Sequence, residues 1–247
     1  RKSSISDVEV FEIPHITALA FSRNGYHLMA ALDNGTIINL DPTVLREIRY
    51  FNFTQEEILR INFSPDSLFV TFYDAKCNII VFKHDKATEE EWVVLGSKTR
   101  YHTKAIVDTL YISKPSSLPL PDITTPHHQQ YHHKQPVPRL ISLGEDRRII
   151  EYDLMESMKE GAKILSKTFS KRIFQTSIPT AITLIYNSKK HEEEILIADS
   201  KGKFKIFDKS TFEILATFVA PIYDSYVKQF VSFYYPKEVT FLNINPY

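Results

Sequence analysis

The chain has 247 residues, of which 43% are hydrophobic and 13% aromatic, enough to bury the core of one globular domain. Its 30 Lys and Arg residues balance its 30 Asp and Glu residues. The chain therefore lacks the overall positive charge that draws proteins onto nucleic acid or anionic membranes, and neither is an expected partner.

The sequence lacks the motifs that mark several common classes of enzyme and binding protein. Cys77 is the one cysteine, so no internal disulfide can form, and a reducing compartment such as the cytoplasm is expected. The six glycines lack the spacing of a dinucleotide or phosphate-binding loop, and no zinc-protease motif, nucleophile elbow or Cys-x-x-Cys pair occurs. Apolar runs are too short to span a membrane. The sequence predicts no catalytic residue, cofactor or metal site.

Short apolar segments with a period near two alternate with Asn, Asp, Gly, Ser or Pro, which predicts an all-β fold. The segment 16–22 matches 58–64 at an offset of 42 residues. A period of about 40 to 45 residues is typical of propeller blades with four strands each. The expected fold is therefore a partial β-propeller with about four blades and the start of a fifth.

The predicted propeller covers 1-247, and its units follow one another along the chain. Their approximate bounds are 14-53, 54-100, 101-170, 178-220 and from 226 onward. The predicted outer strands are 45–51, 92–99 and 214–219, and a short helix is expected within 155–163. Because propellers close with about four to eight blades, we expect further blades or a partner chain to cover the open edge.

A loop insertion interrupts the third unit at 114-138. It contains six prolines and the histidines His127, His128, His132 and His133. Inserts of this composition are usually solvated spacers, but long insertions are also where propellers gain contacts with partner proteins. Four imidazoles could also bind zinc or copper, although no cysteine accompanies them. We expect a loop that is a candidate partner contact rather than a metal site.

The ends of three predicted strands resemble the Trp-Asp ending of the WD-repeat family: Leu40-Asp41, Tyr152-Asp153 and Phe207-Asp208. In the third unit, four residues resemble the buried hydrogen-bond network of a well-formed repeat: His102, Ser142, Asp146 and Tyr152. The same residue types occur in a Ser-His-Asp catalytic triad. A structural role is expected, because the propeller places this network between strands and no oxyanion donor is identifiable.

Four segments carry a closer resemblance, at 16–22, 101–106, 138–154 and 245–247, and the block RLISLGEDR at 139–147 is the most specific. They resemble the second propeller of the WD-repeat cilia- and flagella-associated proteins of the calmodulin- and spoke-associated complex, at the base of radial spoke three. The resemblance implies a non-enzymatic scaffold of the cytoskeleton, in the axoneme of cilia and flagella, needed for motility. Its implied partners are spoke-base complex subunits, the radial spoke and doublet microtubules. The alternative is a generic cytoplasmic WD-repeat adaptor in trafficking or ubiquitin ligation.

Overall fold

The computed structural model describes residues 13–85, 91–112, 137–158, 164–219, 227–228, 230–235 and 238–242. These residues form four antiparallel sheets of four strands each and one hairpin, with strands arranged in chain order within each sheet. The all-β prediction is confirmed. The predicted loop 114-138 lies outside the described residues except for Val137 and Pro138, and its four histidines lie outside them too.

The strands follow the predicted repeat. The first sheet contains β1 (Ile16–Phe21), β2 (Leu28–Leu32), β3 (Thr36–Leu40) and β4 (Glu47–Asn52). The second contains β5 (Ile58–Phe63), β6 (Phe69–Asp74), β7 (Asn78–Asp85) and β8 (Glu91–Thr99). The third contains β9 (Ile106–Ile112), β10 (Arg139–Gly144), β11 (Arg148–Asp153) and β12 (Ser166–Arg172). The fourth contains β13 (Pro179–Asn187), β14 (Glu192–Asp199), β15 (Lys203–Asp208) and β16 (Ile214–Val219). The hairpin pairs β17 (Val231–Tyr235) with β18 (Glu238–Leu242).

Two predicted elements differ by more than one residue in where they begin or end. The strand expected at 45–51 begins at Glu47, because a turn held by Asp41 precedes it: the Leu45 amide donates to the Asp41 carbonyl at 2.9 Å, and Leu45 has a φ of 55°. The helix expected within 155–163 is a single turn, α1 (Leu154–Ser157). The side chain of Asp153 caps it by accepting from the Glu156 amide at 2.9 Å.

The sheets stack face to face, so the second and third sheets have a packed neighbour on each side. All six residues of β6 are buried. Phe69 and Tyr73 pack against the third sheet, whereas Val70 and Phe72 pack against the first. A third apolar cluster joins the third and fourth sheets. Because side chains alternate across a strand, each central strand of the second and third sheets stabilises two interfaces at once.

Polar contacts join the innermost strands, where β1 lies beside β5, β5 beside β9, and β9 beside β13. The Asn62 amide donates to the Asp108 carboxylate at 2.7 Å, and Arg60 lies 3.3 Å from the same carboxylate. Burial raises the pKa of Asp108, an effect that Arg60 opposes. These contacts fix how the second sheet sits against the third.

The first sheet presents an apolar face on the side away from the second. Met29 and Ala31 pack against the second sheet, so Leu19 and Phe21, which alternate with the inward residues Ala18 and Ala20, lie on the opposite face. Leu19 is 58% exposed and Phe21 is 56% exposed. Inner-strand residues of this first sheet therefore remain accessible.

Replacing Phe72 by Ala tests the packing between the first two sheets. Phe72 is fully buried, and its ring lies 5.0 Å from that of Phe82. Because the change leaves a cavity, we expect the free energy of unfolding to fall by about 3–5 kcal/mol in chemical denaturation. Tyr26→Ala, at a side chain that is 76% exposed, should change it by less than about 0.5 kcal/mol. Equal effects of the two changes would contradict the described packing.

Candidate functional site

The structure brings together the four residues singled out in the third unit. His102 lies in the segment between β8 and β9, Ser142 on β10, Asp146 in the turn after β10, and Tyr152 on β11. The segment before β9 thus meets the β10–β11 hairpin, about 40 residues later in the sequence, at one buried point. The imidazole of His102 is at their centre, with a fully buried side chain.

Continuous hydrogen bonds connect the four side chains. His102 Nδ1 lies 3.0 Å from Asp146 Oδ1, and His102 Nε2 lies 2.7 Å from Ser142 Oγ. The Ser142 and Tyr152 hydroxyls are 2.8 Å apart. Because an ionised carboxylate can only accept, Nδ1 carries the proton in neutral His102. Hydrogen bonds are then donated from Tyr152 to Ser142, from Ser142 to His102 Nε2, and from His102 Nδ1 to Asp146. Each of the four side chains thus has a hydrogen-bond partner.

Asp146 also organises the backbone around it. Its Oδ2 accepts from the Thr103 amide at 3.0 Å, and its Oδ1 accepts from the Arg148 amide at 3.1 Å. Burial raises the pKa of this carboxyl, but the hydrogen bonds from His102, Thr103 and Arg148 together outweigh burial and leave the pKa lowered. Asp146 is thus held as a carboxylate that ties the segment before β9 to the β10–β11 turn.

Gly144 leaves the space that the imidazole needs. A Cβ at this position would lie 2.3 Å from His102 Nδ1 and 2.7 Å from Asp146 Oδ1. Any side chain here would push the two hydrogen-bonding partners apart. The glycine in the RLISLGEDR block therefore allows His102 and Asp146 to lie close to the backbone, and it is not needed for an unusual turn conformation.

The network has the connectivity of a Ser-His-Asp triad but not its accessibility. Ser142 is 0% exposed and packs among the apolar residues between the second and third sheets, beside Leu140 and Ile150. Its hydroxyl is already bonded to Tyr152, whose own pKa is raised by burial, so Tyr152 remains a neutral donor. A nucleophile must reach a substrate carbonyl. This serine has no surface through which it could do so, and the arrangement can only join strands.

Two related contacts were not singled out from the sequence. In the second sheet, Asp74 accepts from the Thr54 hydroxyl at 2.9 Å and from the Lys76 amide at 2.9 Å. In the fourth, Asp199 accepts from the Ser177 hydroxyl at 2.7 Å. Both carboxylates end the second strand of their sheet. The sequence signal that could have identified these contacts is a Ser or Thr before the first strand of a sheet, together with an Asp at the end of the second strand.

Other candidate sites give less. Within the described ranges, no group of three or more His, Cys, Asp or Glu side chains is placed to hold a metal ion. No helix of the described part of the chain is both long and apolar enough to cross a membrane.

No protein-family model matches the chain. It is similar to cilia- and flagella-associated protein 251 of Pongo abelii, with 26% identity over 217 residues, covering 87% of this chain and 17% of that protein. The protein of the same name from Mus musculus is 26% identical over 213 residues, covering 85% of this chain and 15% of that protein. The chain therefore spans a small part of the length of these curated relatives. The resemblance to WD-repeat cilia- and flagella-associated proteins is confirmed, and the relatives' names support a location in cilia or flagella.

Solved structures share the architecture. Sqt1 of Saccharomyces cerevisiae has a TM-score of 0.59 and 10% identity, covering 83% of this chain and 48% of that chain. The Cps50 (Swd1) β-propeller domain of Myceliophteria thermophila has a TM-score of 0.58 and 13% identity, covering 89% of this chain and 59% of that chain. The fold is that of a WD-repeat β-propeller. The four sheets are its blades, and the predicted fold class is confirmed.

Asp146→Ala tests the role of the network in the third blade. The change leaves the buried His102 Nδ1 and the Thr103 amide without their acceptor. We expect the free energy of unfolding to fall by about 1–3 kcal/mol, measured by chemical denaturation. Glu145→Ala changes the exposed neighbour in the same turn and should have little effect. An unchanged midpoint for Asp146→Ala would contradict a stabilising network.

Acid dependence gives a second test. Because the pKa of Asp146 is lowered in the folded state from its ordinary value of 3.8, its contribution is present above that value and is lost as pH falls through the folded pKa. Asp146→Asn removes the titrating group. The difference in stability between the parent protein and this variant should therefore shrink below about pH 4. A difference that stays constant from neutral to strongly acidic pH would contradict this account.

Proposed function

We propose that this chain is part of a non-enzymatic protein-interaction scaffold, a structural subunit of the ciliary or flagellar axoneme at the radial spoke base. Its partners in this proposal are spoke-base complex subunits, the radial spoke and doublet microtubules, and the protein is needed for motility. The observation that carries the proposal is the 26% identity to two proteins named for cilia and flagella, spread over more than four-fifths of the chain.

The packing of the blades supports a positional role. The apolar clusters between successive blades and the Arg60–Asp108 and His102–Asp146 contacts all join separate strands. Such a body holds its surfaces at fixed distances from one another. A scaffold that transmits force between partners needs this property and needs no turnover.

The buried position of Ser142 supports the absence of catalysis. Its hydroxyl lies in the apolar interface between the second and third blades and makes hydrogen bonds to His102 and Tyr152. The described residues thus offer a network that stiffens the fold. In the proposal, function resides on the outer surfaces of the blades.

Detergent extraction of cilia tests the location. We expect the tagged full-length protein to stay with the axoneme after membrane and matrix are removed, and to cross-link to spoke-base and doublet proteins. A ciliary membrane protein and a soluble matrix protein serve as extraction controls. Complete release with the matrix protein, together with partners from trafficking or ubiquitin ligation, would overturn the axonemal proposal in favour of a general adaptor.

A further inference from the structure

The third blade carries a group of arginines at one end. Arg147 and Arg148 follow Asp146 in the turn between β10 and β11, and Arg172 ends the neighbouring strand β12. Arg148 and Arg172 are direct partners across the two strands. Both side chains are exposed, and Arg147 is half-buried.

A shared hydrogen-bond acceptor shows how close two of these guanidinium groups lie. Arg147 Nη1 donates to the Gln175 carbonyl at 2.6 Å, and Arg172 Nη2 donates to the same oxygen at 3.4 Å. Arg172 Nε also donates to the Phe174 carbonyl at 3.2 Å. The backbone at 174–175 thus holds two positive groups side by side, although neither gains an ionic partner from it.

Lysines of the fourth blade extend the positive surface. Lys205 Nζ lies 4.4 Å from the centre of the Phe174 ring, beside the carbonyl that binds Arg172. The exposed residues Lys201 and Lys203 lie in and after the turn between β14 and β15. This turn is tied to the same connecting segment, because the Ser200 amide donates to the Ile178 carbonyl at 2.8 Å. We name the basic surface by its six residues: Arg147, Arg148, Arg172, Lys201, Lys203 and Lys205.

Among the described residues, the nearby carboxylates do not neutralise the basic surface. Asp146 is directed at His102 and backbone amides, and Asp199 is buried against Ser177 and the amides of Lys201 and Lys203. The salt bridges within the described part of the chain join other residues. Glu145 is the exposed acid of the β10–β11 turn, and none of the salt bridges that the structure describes includes it.

Two like charges directly opposite each other on paired strands are destabilising. The pair Arg148 and Arg172, with Arg147 beside it, therefore has an electrostatic cost that the described fold does not offset. A carboxylate from outside the chain would remove this cost, because the planar guanidinium group binds carboxylates through two parallel hydrogen bonds. We propose that the basic surface docks a glutamate- or aspartate-rich segment of a partner protein.

The observations favour an acidic polypeptide over nucleic acid. The whole chain has a formal net charge of zero, whereas nucleic-acid binding depends on neutralising many phosphates along an extended basic surface. Here the positive charge is confined to the ends of two blades. The proposal names a partner chemistry for the scaffold function proposed above and in that sense rests on it.

Direct binding measurements with the purified full chain test the proposal. The probe is a fluorescent oligoglutamate peptide at physiological ionic strength, and fluorescence anisotropy reports binding. We expect saturable binding that weakens as salt is raised. The double variant Arg148→Gln with Arg172→Gln should raise the dissociation constant at least about tenfold, because two charge-assisted contacts are lost.

Two further variants separate local from general charge effects. Arg46→Gln with Lys189→Gln removes the same charge from exposed turns at the other end of the blades, and should leave the dissociation constant unchanged. The double variant Arg148→Lys with Arg172→Lys keeps the positive charge but lacks the planar guanidinium groups. It should bind more tightly than the glutamine double variant and less tightly than the parent protein. Circular dichroism of each variant shows whether the fold is retained.

Several outcomes would overturn the proposal. These are no saturable binding of oligoglutamate, equal weakening by both neutralised pairs, or tighter binding of a single-stranded oligonucleotide or a phosphoserine peptide of equal charge. Because the assay uses purified components, its failure would leave axonemal retention unaffected. The two proposals therefore fail by different results.

Discussion

Each four-stranded sheet has two apolar faces, and the rest of the structure depends on covering both of them. A strand such as β6 is buried along its whole length because the first blade covers one face and the third blade covers the other. No blade could bury this surface alone, because a single four-stranded sheet has no second layer to cover either of its faces. Stacking of successive blades is thus the condition for their stability.

Apolar packing alone does not fix how neighbouring strands are positioned, and polar contacts between the strands do so. Hydrophobic contact is non-directional, whereas the His102 network and the Asn62–Asp108 bond have fixed lengths and directions. Fully satisfied buried networks rigidify a core and specify one arrangement. In the third blade, this explains why a constellation with triad connectivity is enclosed rather than open. The same stiffness suits a protein whose role is to hold partners in place.

Much of the fold could be predicted from the sequence, because alternation and the 42-residue repeat are local patterns. The His102 network could be predicted as well, since its residue types and spacing are characteristic. The Thr54–Asp74 and Ser177–Asp199 contacts could not, because small polar residues in loops are common and their partners depend on how the loops fold. The closeness of Arg147 and Arg172 depends on the pairing of β11 with β12 and on the carbonyl of Gln175, neither of which a repeat pattern contains.

The central claim is that this chain occupies a fixed position in the axoneme and acts by holding partners there. Cryo-electron tomography of axonemes that carry a density tag on this protein tests that claim most directly. The account predicts added density at one constant position in every axonemal repeat, at the base of a radial spoke. Axonemes without added density, or with density scattered among positions, would contradict it.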